Sequence, residues 1–143
     1  MPNCMKCFEQ CNFHAIFQTY DEQVFSMKLS EIKNSLDAEV LSGHDQLDIS
    51  IAGGCGTDLI EDTLSAVAKG AVFLTGLTTE QMLRAATIAG VSAIVIVRGK
   101  KPDPKMLEAA VTSGIPILRT HHSLFVACGR LYMDGLRGLD GSW

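Results

Sequence analysis

From Met27 onward the chain alternates between two hydrophobic rhythms. Short runs of adjacent or alternating apolar residues predict strands, and stretches with an apolar residue every three or four positions predict helices. Ser30 stands as an N-cap before a short helix containing Ile32 and Leu36, with Leu29 ahead of it. A short strand is expected around Val40 and Leu41. A second is expected over Asp48–Ala52, with Ile49 and Ile51 on one face. A helix follows with Leu59, Ile60, Leu64 and Val67 as its apolar stripe and Gly70 as its stop.

Three further strand–helix units succeed it. Ala71–Thr75 reads as a strand, and Thr78 with Gln81 as a capping box for a helix through Met82, Ala85, Ala86 and Ile88 that stops at Gly90. Ala93–Val97 is continuously apolar, the pattern of a parallel strand covered on both faces. Asp103 caps the next helix, Pro104 occupies its first turn and Gly114 ends it. Ile115–Leu118 is the last strand. Pro116 lacks a ladder donor, so this strand either lies at an edge or begins at the proline. A final helix runs from about Ser123 to Tyr132, with Cys128 as a small buried hydrophobe, and Gly135, Gly138 and Gly141 mark a loose tail. Strands alternating with helices imply parallel pairing and right-handed crossovers. The expected fold is therefore a single layered α/β domain over 27–137, a mostly parallel sheet flanked by helices. A cysteine-containing extension, 1–26, precedes it, and a tail, 138–143, follows.

Composition narrows the function. The 143 residues fit one domain, and 47% hydrophobic content excludes a disordered chain. A net charge of −4 argues against a nucleic-acid binder. No apolar run approaches the roughly 20 residues that span a bilayer, and no basic-then-apolar leader opens the chain. A cytoplasmic, membrane-free protein is expected. The five cysteines, an odd number in a chain of this length, fit a reduced compartment better than a disulfide scaffold.

In open α/β sheets ligands collect beyond the C-terminal ends of the strands. Those ends are Gly53–Asp58, Thr75–Thr78, Arg98–Lys101 and Arg119–His122. A glycine-rich turn entering a helix presents bare N–H groups to an anion, which points to Gly53, Gly54 and Gly56. Thr57, Thr78 and Thr120 offer hydroxyls, and Arg98 and Arg119 offer two-pronged charge. The turn is neither a Walker motif nor G-x-G-x-x-G, so neither ATP hydrolysis nor dinucleotide redox chemistry is expected. Cys55, read as lying at a helix N-terminus with His121 or His122 as base, would make a thiol enzyme. No local signature supports that pairing, and no catalytic residue is assigned. Asp58, Glu61 and Asp62 read as first-turn charges directed to solvent.

At the start of the chain, Cys4, Cys7, Cys11 and His14 follow C-x2-C-x3-C-x2-H. Thiolates and imidazole are ligands for zinc, and three cysteines also suit an iron–sulfur cluster. The spacing matches no established run of either kind, which favours the alternative, an extension whose Val24 and Phe25 add a strand or clamp a partner.

Met27 to about Gly135 resembles the DRTGG domain. The likeness rests on MKLSEIKNSLDAEVLSG at the start, DISIAGGCGTDLIED at 48–62, AIVIVRGKKPD at 93–103 and IPILRTHHSLFVACGRLY at 115–132. Gly53 and Gly54 match the paired glycines of the motif, and Thr57-Asp58-Leu59 resembles the start of its following helix. The residues ahead of Gly53 are Ser50-Ile51-Ala52 rather than Asp-Arg-Thr, so no role resting on that arginine carries over. The resemblance implies an accessory module of the kind found beside HPr kinase/phosphorylase, with CBS domains and in phosphotransacetylases. It implies a regulatory module with no catalytic activity that senses a nucleotide or small anionic metabolite; the leading expectation is such a non-enzymatic domain working as a homodimer. Stand-alone members are similar to proteins encoded near hydrogenase and electron-transfer genes, which keeps open a second expectation: an interaction module for a redox or metabolic enzyme with a metal-binding N-terminal arm.

Overall fold

The computed structural model describes residues 26–66 and 69–139. Cys4, Cys7, Cys11 and His14 lie outside them, as do Val24 and Phe25. The elements run β1 (Met27–Lys28), α1 (Leu29–Ser35), β2 (Glu39–Ser42), a 3-10 turn (His44–Gln46), β3 (Ser50–Ile51), β4 (Gly53–Gly56), α2 (Ile60–Ala66), β5 (Ala71–Thr75), α3 (Glu80–Ala89), β6 (Ala93–Ile96), α4 (Pro104–Ser113), β7 (Ile117–Arg119) and α5 (Leu124–Met133). The main sheet has the order β2-β7-β6-β5-β4. Strands β4 to β7 are parallel, and β2 closes one edge antiparallel to β7.

The parallel strands are laid down one after another in a single direction. Right-handed crossovers then place every intervening helix on one face of the sheet. Packing follows that rule. On that face α2 packs against α3 and α3 against α4. Phe73, Ile94, Ile96 and Ile117 meet Met82, Leu83, Ala86, Met106 and Ala110 there. The opposite face, carrying Val72, Leu74, Val95, Val97 and Leu118, is covered by α1 through Leu29, Ile32 and Leu36 and by α5 through Ala127 and Leu131. The period of two in β5 and β6 divides these side chains between the two cores. Each fully buried Leu or Ile contributes roughly 1.5–3 kcal/mol, so both layers are needed.

Several expected boundaries shift. The Asp48–Ala52 strand is cut to Ser50–Ile51, which pairs with Met27–Lys28 outside the main sheet. Residues 53–56 form not a turn but β4 itself, in register with Ala71–Leu74. Ser30 is not the cap of α1: the helix begins at Leu29, and the Glu31 carboxylate accepts from the Lys28 amide at 2.7 Å. Thr79, not Thr78, caps α3 by accepting from the Met82 amide. Pro116 sits immediately before β7, which is an inner strand, so the strand begins just after the proline and avoids the missing donor. Gly90 and Gly114 end α3 and α4 in the left-handed conformation, at φ 78° and 69°. The segment after α5 is not loose through Leu139: Leu136 is buried, and the Arg137 carbonyl accepts from the Gly54 amide at 2.9 Å.

A strand reading Gly-Gly-Cys-Gly has weak intrinsic preference for the sheet; contact from above explains its composition. A Cβ at Gly53 would lie 2.5 Å from Leu139 Cγ and 2.7 Å from the Arg137 carbonyl oxygen. One at Gly56 would lie 2.7 Å from Cys128 Sγ. The glycines let α5 and the 136–139 segment close directly onto the sheet edge. Gly53→Ala is therefore expected to cost about 1–3 kcal/mol of stability in urea denaturation. Gly129→Ala in α5, where an added Cβ meets nothing within 4 Å, should gain up to about 1 kcal/mol. A Gly53→Ala protein as stable as its parent would contradict this account of β4.

Candidate functional site

At the C-terminal rim, three successive loops meet around one carboxylate. Asp58, just after β4, accepts from the Thr75 hydroxyl at 3.1 Å and the Gly76 amide at 2.6 Å through one oxygen, and from Arg98 Nη2 at 2.8 Å through the other. Lys100 Nζ donates to the Gly76 carbonyl at 3.1 Å. Asp58 is thus not a solvent-directed helix charge; α2 begins two residues later, at Ile60. Burial alone pushes its carboxyl up, but the Arg98 guanidinium, the Gly76 amide and the Thr75 hydroxyl outweigh that and hold it below its ordinary 3.8.

Arg98 occupies the left-handed region, with φ 61°, and Gly99 follows at φ 63°. With the Lys100 amide donating to the Val97 carbonyl at 3.4 Å, these residues turn as a type I′ pair. Glycine is the natural occupant of both central positions, and a side chain there costs about 1–2 kcal/mol. The conformation is held by the Arg98 amide on the His122 carbonyl and the Gly99 amide on the Thr120 carbonyl, both at 2.8 Å. The guanidinium lies over Gly76, where a Cβ would come within 1.7 Å of Nη2. Arg98 is strained in order to lie across the β5 loop, and such strain gathers at functional positions.

The other expected site residues fall in different places. Arg119 donates to Glu39 at 2.5 Å, tying β7 to the antiparallel edge strand β2. The two arginines are therefore each matched to a separate carboxylate and reach toward opposite edges of the sheet. The Thr120 hydroxyl is buried and donates to the Leu36 carbonyl at 2.7 Å, anchoring the loop to α1. The Thr57 hydroxyl accepts from the Leu59 amide and donates to Asp62. Thr78 contributes its carbonyl, which accepts from the Asp103 amide. Gly53, Gly54 and Gly56 belong to β4. Cys55 lies within that strand rather than at a helix N-terminus, which removes the dipole argument for a thiol nucleophile. Burial, with Cys55 nearby, pushes the Cys128 thiol up, away from the reactive thiolate. His122 Nε2 is buried without a hydrogen-bond partner among the described residues.

Thr75, Gly76 and Lys100 are site residues that sequence reasoning did not single out. Gly76 and Lys100 do stand in the strand-end loops, but nothing in their spacing marks them as neighbours. Among the described residues no group of three or more His, Cys, Asp or Glu is placed to hold a metal, and no helix is long and apolar enough to cross a membrane.

The sequence profile of the DRTGG domain matches residues 31–132. The chain belongs to the DRTGG domain family. Its fold is similar to that of the CBS and DRTGG domains of the regulatory region of Clostridium perfringens pyrophosphatase, a structure complexed with the activator diadenosine tetraphosphate. The TM-score is 0.61 at 19% identity, over 77% of this chain and 47% of that one, so the chain spans about half the length of that structure. No curated protein matches it.

Because Asp58 titrates below 3.8 in the folded chain, its bonds stabilise the fold above that pH, and the contribution vanishes as pH falls through the lowered value. In thermal melts, Asp58→Asn is expected to be less stable than the parent by roughly 1 kcal/mol near neutral pH, with the gap closing in acid. A gap that persisted unchanged to the lowest pH at which both chains fold would contradict the assignment.

Proposed function

We propose that this DRTGG domain is a non-enzymatic regulatory module, working as a homodimer, that senses a nucleotide or other small anionic metabolite at the rim built by Asp58, Gly76, Arg98 and Lys100. The observation that carries the reading is the strained Arg98, held across Gly76 beside Lys100. Two cations over the β5 loop form an anion cradle. Asp58 presets it: the carboxylate holds the guanidinium in place until a phosphate or carboxylate competes for it. The nucleotide activator in the similar pyrophosphatase regulatory region supports the ligand class.

A surface stripe supports a role in association. On α5, Phe125 is 88% and Met133 87% exposed, with Val126 and Tyr132 beside them. Large apolar side chains clustered on one helix face favour contact with a second copy or another protein. The same stripe favours the second reading, a docking module for a redox or metabolic enzyme whose N-terminal Cys4, Cys7, Cys11 and His14 carry zinc or an iron–sulfur cluster.

Titration calorimetry with ATP, diadenosine tetraphosphate and acetyl phosphate tests the first reading. Heat is expected with at least one. Arg98→Gly combined with Lys100→Ala should weaken binding at least about tenfold, since a charged hydrogen bond is worth about 1.5–3 kcal/mol. The glycine also relieves the backbone, so loss of fold does not account for the effect. Arg119→Ala should stay within about twofold. Unchanged affinity in the double variant, or no heat with any of the three compounds, would overturn the reading.

A further inference from the structure

Between β4, α5 and the 136–138 segment lies a half-open slot of about 210 Å³. Its walls are Leu74, Cys128, Leu131 and Leu136, and Tyr132 and Arg137 stand at its mouth. Leu74, Leu131 and Leu136 are at most 3% exposed, so those walls are fixed by the core. At the mouth the Arg137 guanidinium lies 4.1 Å from the centre of the Tyr132 ring, and its Nη1 donates to the Tyr132 carbonyl at 2.7 Å. The result is a flat, cationic–aromatic rim over an apolar interior.

One side of the slot is the outer edge of a β-strand. The Gly54 amide points away from β5, since it donates to the Arg137 carbonyl, whereas the Thr57 amide donates inward to Leu74. Alternation along the strand turns the Gly54 carbonyl and the Gly56 amide outward as well. The slot therefore offers an acceptor and a donor side by side, on glycine backbone that carries no side chain of its own. A plain hydrocarbon would leave both groups unmatched at a cost. A flat heteroaromatic ring with its own donor and acceptor would satisfy them while filling the apolar space.

We infer that this slot takes the base of a nucleotide whose phosphates lie at the Arg98 and Lys100 rim. The inference rests on the rim reading above and specifies its ligand class. The two places are joined by β4 itself: Gly56 and Asp58 are two residues apart, at most about 7 Å of extended chain. That gap suits a ribose and first phosphate better than an inorganic anion or a small acyl phosphate, which would leave the slot empty.

The test separates base from phosphate on the full-length, nitrogen-15-labelled chain. Adenosine and inorganic tripolyphosphate are titrated separately, and amide shifts are followed by NMR. Adenosine is expected to move Gly54, Gly56, Cys128 and Leu131; tripolyphosphate is expected to move Gly76, Arg98, Gly99 and Lys100; ATP should move both sets and bind at least about tenfold tighter than either part. Tyr132→Ala, at a half-exposed position that the fold tolerates, should weaken adenosine about tenfold through lost stacking and leave tripolyphosphate unchanged. If adenosine moves none of the β4 and α5 amides while tripolyphosphate still moves the rim, the base slot is refuted and the rim reading stands. If tripolyphosphate leaves the rim unmoved, the rim reading fails, and adenosine alone then decides whether the slot binds a base.

Discussion

The structure depends on the handedness of its crossovers. Four parallel strands added in one direction commit α2, α3 and α4 to a single face of the sheet. The other face carries Val72, Leu74, Val95, Val97 and Leu118, which must be covered by whatever the chain has left. Only the first helix and the last remain. The chain after β7 therefore crosses the sheet to lay α5 over β4 and β5. From this follow the glycines of β4, the docking of Leu136 and Leu139 at its edge, and the slot beside Cys128.

The same one-way order shapes the rim. A strand order that reverses midway opens a crevice where neighbouring loops diverge to opposite faces. Here the loops after β4, β5 and β6 all turn to the same side, so they lie against one another and exchange hydrogen bonds. Asp58 spans the first two and Arg98 closes the third onto them. A shallow rim of hydrogen-bonded loops, rather than a crevice between diverging ones, is what this topology provides. The strained Arg98 turn fits a site whose resting contacts are meant to be exchanged.

Much of this was legible in the sequence. The continuous apolar run at Ala93–Ile96, the left-handed stops at Gly90 and Gly114, Ser123 as the cap of α5 and the short strand at Val40 all carry local signals that tertiary packing does not override. The errors have a common cause. Gly53–Gly56 reads as a turn because its strand character comes from the ladder to Ala71–Leu74 and its glycines from close contact with Cys128 and Arg137, none of which is local. Asp58 reads as a helix charge because its partners, Thr75, Gly76 and Arg98, lie on two later loops. Glu39, the carboxylate that Arg119 meets, lies opposite it only through an antiparallel register that is invisible locally. The strand ends mark the rim; which side chains meet there is decided by register.

The most direct test of the central claim is a crystal structure of the full chain grown with ATP. The account predicts phosphate oxygens within hydrogen-bonding distance of Arg98 and Lys100, with the guanidinium drawn off Asp58. Nucleotide bound elsewhere, such as beside Arg119, with the Asp58–Arg98 pair intact, would contradict it.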